Sequence, residues 1–222
     1  MGERGSITMR VDYSVYLVTE ESRNLKDLLY IVEEAVKGGA TIVQLREKTS
    51  EGKLFYEKAL YLKKLLDQYH VPLIINDRVD VALAVQAAGV HVGQSDLPLS
   101  AIRAIVPASM IVGVSVSNPA EAMAAEQNGA DYVGVGAAFP TTSKGDANLL
   151  PSGMLEKTAK SVSIPAVAIG GINLSNITQL YQKNLAGAAI VSAIMNAPSP
   201  REAAAGFRGA VSGEGFNLSL EL

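Results

Sequence analysis

The sequence predicts a single closed (β/α)8 barrel of the α/β class, and three observations predict it. Short apolar runs recur along the chain, each followed by a stretch of helical periodicity; eight such units, at roughly 25 residues each, fit between Val15 and Val211. The segments KGGATIVQL, AAGVHVGQ, NGADYVGVG and LAGAAIVSA repeat one helix-to-strand joint. A doubly wound open sheet would carry a dinucleotide fingerprint, but Gly134 and Gly136 are followed by Phe139 where a third small residue is needed.

Taken in order, the expected strands are 15–18, 42–45, 73–75, 90–92, 111–115, 132–135, 166–169 and 188–191. They are apolar throughout rather than alternating, as parallel strands covered on both faces are. Between the first two, the helix 25–37 sets Leu25, Leu28, Leu29, Val32, Ala35 and Val36 on one face. Further helices are expected at 51–69, 79–88, 119–128, 152–161 and 175–183, with another starting near Pro98. Gly38, Gly39, Gly89, Gly129 and Gly187 each fall just before a strand, where glycine suits the left-handed residue that ends a helix. Residues 1–222 thus read as one barrel domain with its core at about 13–211. The segments MGERGSITMR and SGEGFNLSLEL read as extensions outside it.

Composition removes several function classes. The 222 residues are 48% apolar and 18% charged, as globular domains are. A net charge of −3 gives no footprint for nucleic acid and no attraction to an anionic membrane. The polar start lacks the apolar core of a signal peptide, and no run approaches the roughly 20 residues that span a bilayer. The expectation is a soluble, cytoplasmic protein acting on small molecules, with homo-oligomerisation left open. The absence of cysteine excludes disulfides, thiolate metal sites and cysteine nucleophiles. His70 and His91 are the only histidines, too few for an all-histidine zinc site. Any metal is therefore expected to be a hard cation on oxygen ligands, Mg2+ first.

In such a barrel the chemistry gathers where the strands end. The second strand runs out into Gln44, Leu45, Arg46, Glu47 and Lys48, the third into Asn76 and Asp77, and the fourth into a loop ending at Asp96. The fifth ends at Ser115, and the loop after the sixth carries Thr141, Thr142, Ser143 and Lys144. Asp77 and Asp96 suit helix caps, yet two carboxylates on neighbouring strands beside Arg46 and Lys48 also suit a Mg2+ that holds phosphate oxygens. Arg46, Lys48 and Lys144 would supply charge for the rest of the anion. Gly170, Gly171 and Ser192 read either as tight turns and a cap or as a backbone cradle for a second phosphate. His91, inside a strand, reads as a packed, hydrogen-bonded histidine rather than a base. No GxSxG elbow is present, so covalent catalysis has little support. These residues point to joining a diphosphate-activated fragment to a phosphorylated one, without naming either.

The motifs that carry this chemistry are QLREK at 44–48, ND at 76–77, HVGQSD at 91–96, GVS at 113–115, PTTSK at 140–144, IGGI at 169–172 and VSAI at 191–194. In that order they resemble the thiamine phosphate synthase family over residues 15–195. The resemblance implies a transferase coupling 4-amino-2-methyl-5-hydroxymethylpyrimidine diphosphate to a (carboxy)thiazole phosphate, giving thiamine phosphate, pyrophosphate and CO2. It implies Asp77 and Asp96 on Mg2+. Gln44, Leu45, Arg46, Glu47, Lys48, Asn76, Ser115 and Lys144 would hold the pyrimidine diphosphate. Thr141, Thr142, Ser143, Gly171, Val191 and Ser192 would hold the thiazole phosphate. Lys144, Arg46 and Ser115 are the implied catalytic residues. Two other readings stand beside it: a thiazole tautomerase on the same barrel, and a non-catalytic thiamine-phosphate-binding protein. The paired aspartates, and the lack of a histidine just after Ser115, speak against the first.

Overall fold

Eight parallel strands close on themselves in sequence order: β1 (Val15–Val18), β2 (Ile42–Leu45), β3 (Leu73–Asn76), β4 (Gly89–Val92), β5 (Ile111–Val116), β6 (Tyr132–Gly136), β7 (Ala166–Ile169) and β8 (Gly187–Ile190), with β8 pairing back onto β1. A computed structural model describes residues 11–21, 23–141, 148–212 and 216. The helices are α1 (Leu25–Lys37), α2 (Gly52–Gln68), α3 (Val79–Ala84), α4 (Leu99–Ile105), α5 (Pro119–Gln127), α6 (Met154–Ala159), α7 (Ser192–Met195) and α8 (Pro200–Val211). The architecture is the expected (β/α)8 barrel.

Strand alternation divides the core in two. Tyr16, Ile42, Ile74, Tyr132, Val167 and Ala189 fill the barrel, whereas Leu17, Val43, Ile75, Val133, Ala168 and Ile190 pack outward with the helices. The helices start where local chemistry favours it. Asn24, Asn118 and Ser199 accept from backbone N–H groups of the first turns of α1, α5 and α8, and proline opens the latter two. The buried face of α1 is Leu28, Ile31, Val32 and Ala35.

Four expectations change. The segment 175–183 holds a 3-10 turn (Ile177–Leu180) rather than a helix. Asn173 and Asn176 bond to nearby main chain there, and such local bonds compete with helix formation. The helix expected to reach 88 stops at Ala84, since Gln86 turns left-handed at φ 53°. Gly89 and Gly187 lie in strands and end no helix; a Cβ on Gly187 would sit 1.9 Å from the Tyr13 carbonyl oxygen, so close backbone approach is what glycine serves there. Phe216, placed in the tail, is buried with its ring 5.8 Å from Tyr181. Among the described residues no helix is long and apolar enough to cross a membrane.

Candidate active site

The carboxyl ends of β2, β3 and β4 bring Lys48, Asp77 and Asp96 together. Lys48 Nζ stands 2.5 Å from Asp77 Oδ2, and the Asp77 and Asp96 carboxyls are close enough to interact directly. Asp77 takes a left-handed φ of 62°, which aspartate tolerates, and its N–H donates to the His91 carbonyl at 2.8 Å. Asp96 accepts from the Gly93 N–H at 2.7 Å, closing a turn at the end of β4. Burial raises the Asp77 pKa above the usual aspartate range; Lys48 works in the opposite direction, and Asp96 adds to the rise. The site thus holds two hard carboxylates against each other with one ammonium as counter-charge.

Beside it, Asn76 at the end of β3 is buried, and its Nδ2 has no hydrogen-bond partner among the described residues. A buried donor left unpaired costs free energy unless a ligand accepts from it. Gln44 is buried inside the barrel and donates to Tyr16 Oη at 2.8 Å. Ser115 Oγ lies 2.8 Å from His91 Nε2, and its carbonyl accepts from Gln94 Nε2 at 2.7 Å. Arg46 is half-buried, and its N–H donates to Thr19 Oγ1 at 3.1 Å.

Two members of the QLREK run turn away from the mouth. Leu45 faces outward and is fully buried against the helices. The Glu47 side chain is fully buried, held by Lys58 of α2 at 2.8 Å and by Ser50.

On the far side of the mouth, Gly170 and Gly171 follow β7 with φ of 101° and 66°. Asn176 Nδ2 donates to the Gly171 carbonyl at 2.9 Å, and a Cβ on Gly171 would meet the Pro140 carbonyl oxygen at 2.3 Å. The glycine turn thus passes close against the segment that leads into Thr141. Val191 sits at the junction of β8 with α7, and the exposed Ser192 opens α7. Thr142, Ser143 and Lys144 lie outside the described residues. Sequence reasoning missed Tyr16 and Tyr132, gave Gln94 no role beyond its place in HVGQSD, and expected no hydrogen bond from His91 to Ser115 in particular. Strand register places Tyr16 and Tyr132 on the inward face with Gln44, Asn76, His91 and Ser115, an arrangement that the apolar strand sequences alone do not mark.

A family model described as Thiamine monophosphate synthase matches residues 15–194. A protein of Methanobrevibacter smithii named thiamine-phosphate synthase is 49% identical over 191 residues, covering 86% of this chain and 91% of its own. A thiamine-phosphate synthase of Ruminiclostridium cellulolyticum is 50% identical over 188 residues, covering 84% and 90%. Among solved structures, a thiamine phosphate pyrophosphorylase from Pyrococcus furiosus superposes with a TM-score of 0.84 at 40% identity, over 91% of this chain and 96% of that one. The barrel itself is shared more widely: a 3-hexulose-6-phosphate synthase gives a TM-score of 0.64 at 16% identity, a likeness of fold alone.

Proposed function

This chain belongs to the thiamine monophosphate synthase family, an enzyme of transferase type, and on that premise we propose how its residues divide the work. The reaction is the coupling of 4-amino-2-methyl-5-hydroxymethylpyrimidine diphosphate to a (carboxy)thiazole phosphate, with release of pyrophosphate and CO2. The observation that carries this reading is the Lys48–Asp77–Asp96 cluster, in which two interacting carboxylates share a single ammonium and leave room for a further cation.

The donor set fits Mg2+: two hard carboxylates leave most of an octahedron to phosphate oxygens and water. Asp77 and Asp96 would hold the ion, which when bound would supply positive charge against the diphosphate. Arg46, Lys48 and Lys144 carry the rest of the anion's charge, and they matter most as that charge grows on the departing pyrophosphate. The pyrimidine amine delocalises the cation left behind, so the protein supplies no nucleophile. Asn76 gives its N–H, unpartnered among the described residues, to the diphosphate fragment, and Ser115 and Gln44 orient the same fragment from the interior side. Leu45 and Glu47 hold the loop in place from behind. Thr141, Thr142, Ser143, Gly171, Val191 and Ser192 anchor the thiazole phosphate, which orients its ring nitrogen for attack. The enzyme works on small phosphorylated substrates in the cytoplasm, as one barrel domain.

The test is Lys144→Ala with two assays. Thiamine phosphate formation, read by fluorescence after oxidation, falls severely while thiazole phosphate binding and fold are unchanged. A parent protein that forms no thiamine phosphate but isomerises thiazole phosphate by NMR, with Lys144→Ala indifferent, overturns the reading in favour of a tautomerase.

A further inference from the structure

A continuous hydrogen-bonded path crosses the barrel interior from Gln44 on β2 to Ser115 on β5. Gln44 Nε2 donates to Tyr16 Oη at 2.8 Å, and Tyr16 Oη is 2.7 Å from Tyr132 Oη. Tyr132 Oη is 2.8 Å from His91 Nδ1, and His91 Nε2 is 2.8 Å from Ser115 Oγ. Gln44, Tyr16, Tyr132 and His91 are all buried. The strands make room for the rings by lacking side chains. A Cβ on Gly113 would fall 2.1 Å from Tyr132 Cζ, and one on Gly134 would fall 3.3 Å from His91 Cε1. The Tyr13 ring packs on Tyr132 with centroids 4.9 Å apart. Burial pushes the Tyr16 and Tyr132 phenols far above their ordinary range, so each keeps one hydrogen to give at neutral pH.

Counting hydrogens sets a direction. An amide nitrogen only donates, so Tyr16 accepts from Gln44, and its own buried hydrogen goes to Tyr132. Tyr132, accepting there, gives its hydrogen to His91 Nδ1. A neutral imidazole with a bare Nδ1 carries its proton on Nε2, and that proton is donated to Ser115 Oγ. The serine oxygen then already accepts a bond, and its own hydrogen is left for a ligand.

We propose that Gln44, Tyr16, Tyr132 and His91 form a positioning chain that makes Ser115 a hydrogen-bond donor at the mouth of the barrel. Asn76, the register partner of His91 on β3, offers a second donor beside it. The two donors flank β4 and ask for a ligand that presents acceptor atoms there, such as phosphate oxygens or an unprotonated ring nitrogen. This rests on the reading of Ser115 as a substrate contact, but the direction of the chain exists without substrate and is measured without it.

The experiment is a long-range 1H–15N correlation spectrum of the ligand-free full chain, labelled at histidine, at pH 7.5. The chain has two histidines, and His70→Gln identifies the signals of His91. The expected result is His91 protonated at Nε2 and bare at Nδ1. Tyr16→Phe keeps the ring and cuts the path, lowering the Nε2–H share and slowing coupling at saturating substrate roughly two- to tenfold, the worth of one ordering hydrogen bond. Gln44→Glu replaces the donor with an acceptor, and the Nδ1–H form takes over. An imidazolium or an Nδ1–H tautomer in the parent overturns the proposal, as does an Nε2–H signature that Tyr16→Phe leaves unaltered. A parent without coupling activity whose tautomers shift as described upholds the chain while refuting the proposed reaction.

Discussion

Glu47 and Lys48 are neighbours in one loop, and each belongs to a lysine–carboxylate pair, yet the pairs differ in every physical respect. Glu47 meets Lys58 at 2.8 Å with side chains 0% and 5% exposed. Lys48 meets Asp77 at 2.5 Å with side chains 42% and 22% exposed. The buried pair is closed: Ser50 takes a further Glu47 oxygen, and removing either charge would strand the other. The exposed pair is open, with a second carboxylate pressed on Asp77 and water or ligand free to reach it. An ion pair of that kind contributes little to stability. The difference teaches that one loop serves the fold through one residue and the mouth of the barrel through the next. Chain direction alone separates them, because adjacent side chains leave a strand end on opposite sides.

The largest expected effect breaks the closed pair. Glu47→Gln leaves Lys58 buried without a counter-charge and should cost about 3–5 kcal/mol of stability. Urea unfolding measures it, and the double variant Glu47→Leu with Lys58→Met should recover most of the loss. Next comes Gly171→Val, which forces a branched side chain to φ 66° against the Pro140 carbonyl. About 1–3 kcal/mol of strain is expected. Calorimetric titration should also show weaker thiazole phosphate binding with diphosphate binding retained; equal weakening of both would place the phosphate cradle elsewhere. A smaller effect attends the open pair: Lys48→Met should change stability by less than about 1 kcal/mol while raising the KM for the diphosphate substrate.

The smallest effect on stability has the opposite sign. The folded pKa of Asp77 is raised, chiefly by burial, so the fold prefers the protonated carboxyl. Its contribution is full below the ordinary aspartate pKa and is lost as pH rises through the folded value. At pH 7 the ligand-free Asp77→Asn protein should therefore melt at the parent temperature or slightly above it, and the gain should vanish in acid. A fall in Tm at pH 7 would make Asp77 a structural partner of Lys48, like Glu47 with Lys58.

The barrel was legible because eight apolar runs at even spacing leave few other ways to cover both faces of so many short strands. The grouping of Lys48, Asp77 and Asp96 was legible too, since strand ends in a barrel converge. Glu47 was not separated from its neighbours in QLREK, because its partner Lys58 lies 11 residues on, within a helix, and nothing in the spacing marks that lysine as buried. The interior chain stayed hidden for a different reason. In VYLV and YVGVG each tyrosine reads as one more apolar residue, and with both faces of the strands buried no polar alternation marks which way the hydroxyl points. The segment 175–183 has a helical pattern, but Asn173 just before it and Asn176 within it accept from nearby backbone N–H groups first.

The central claim is that the open pair exists for a metal-bound diphosphate and the closed pair for the fold. The most direct measurement is turnover of the two substrates by metal-stripped protein, with and without added Mg2+, in the parent and in Asp77→Asn. The account predicts a parent that is inactive when stripped and restored by Mg2+, and a variant that is on the order of 10²-fold slower at full thermal stability. A stripped parent that forms thiamine phosphate at the full rate, or an Asp77→Asn protein as active as its parent, would contradict it.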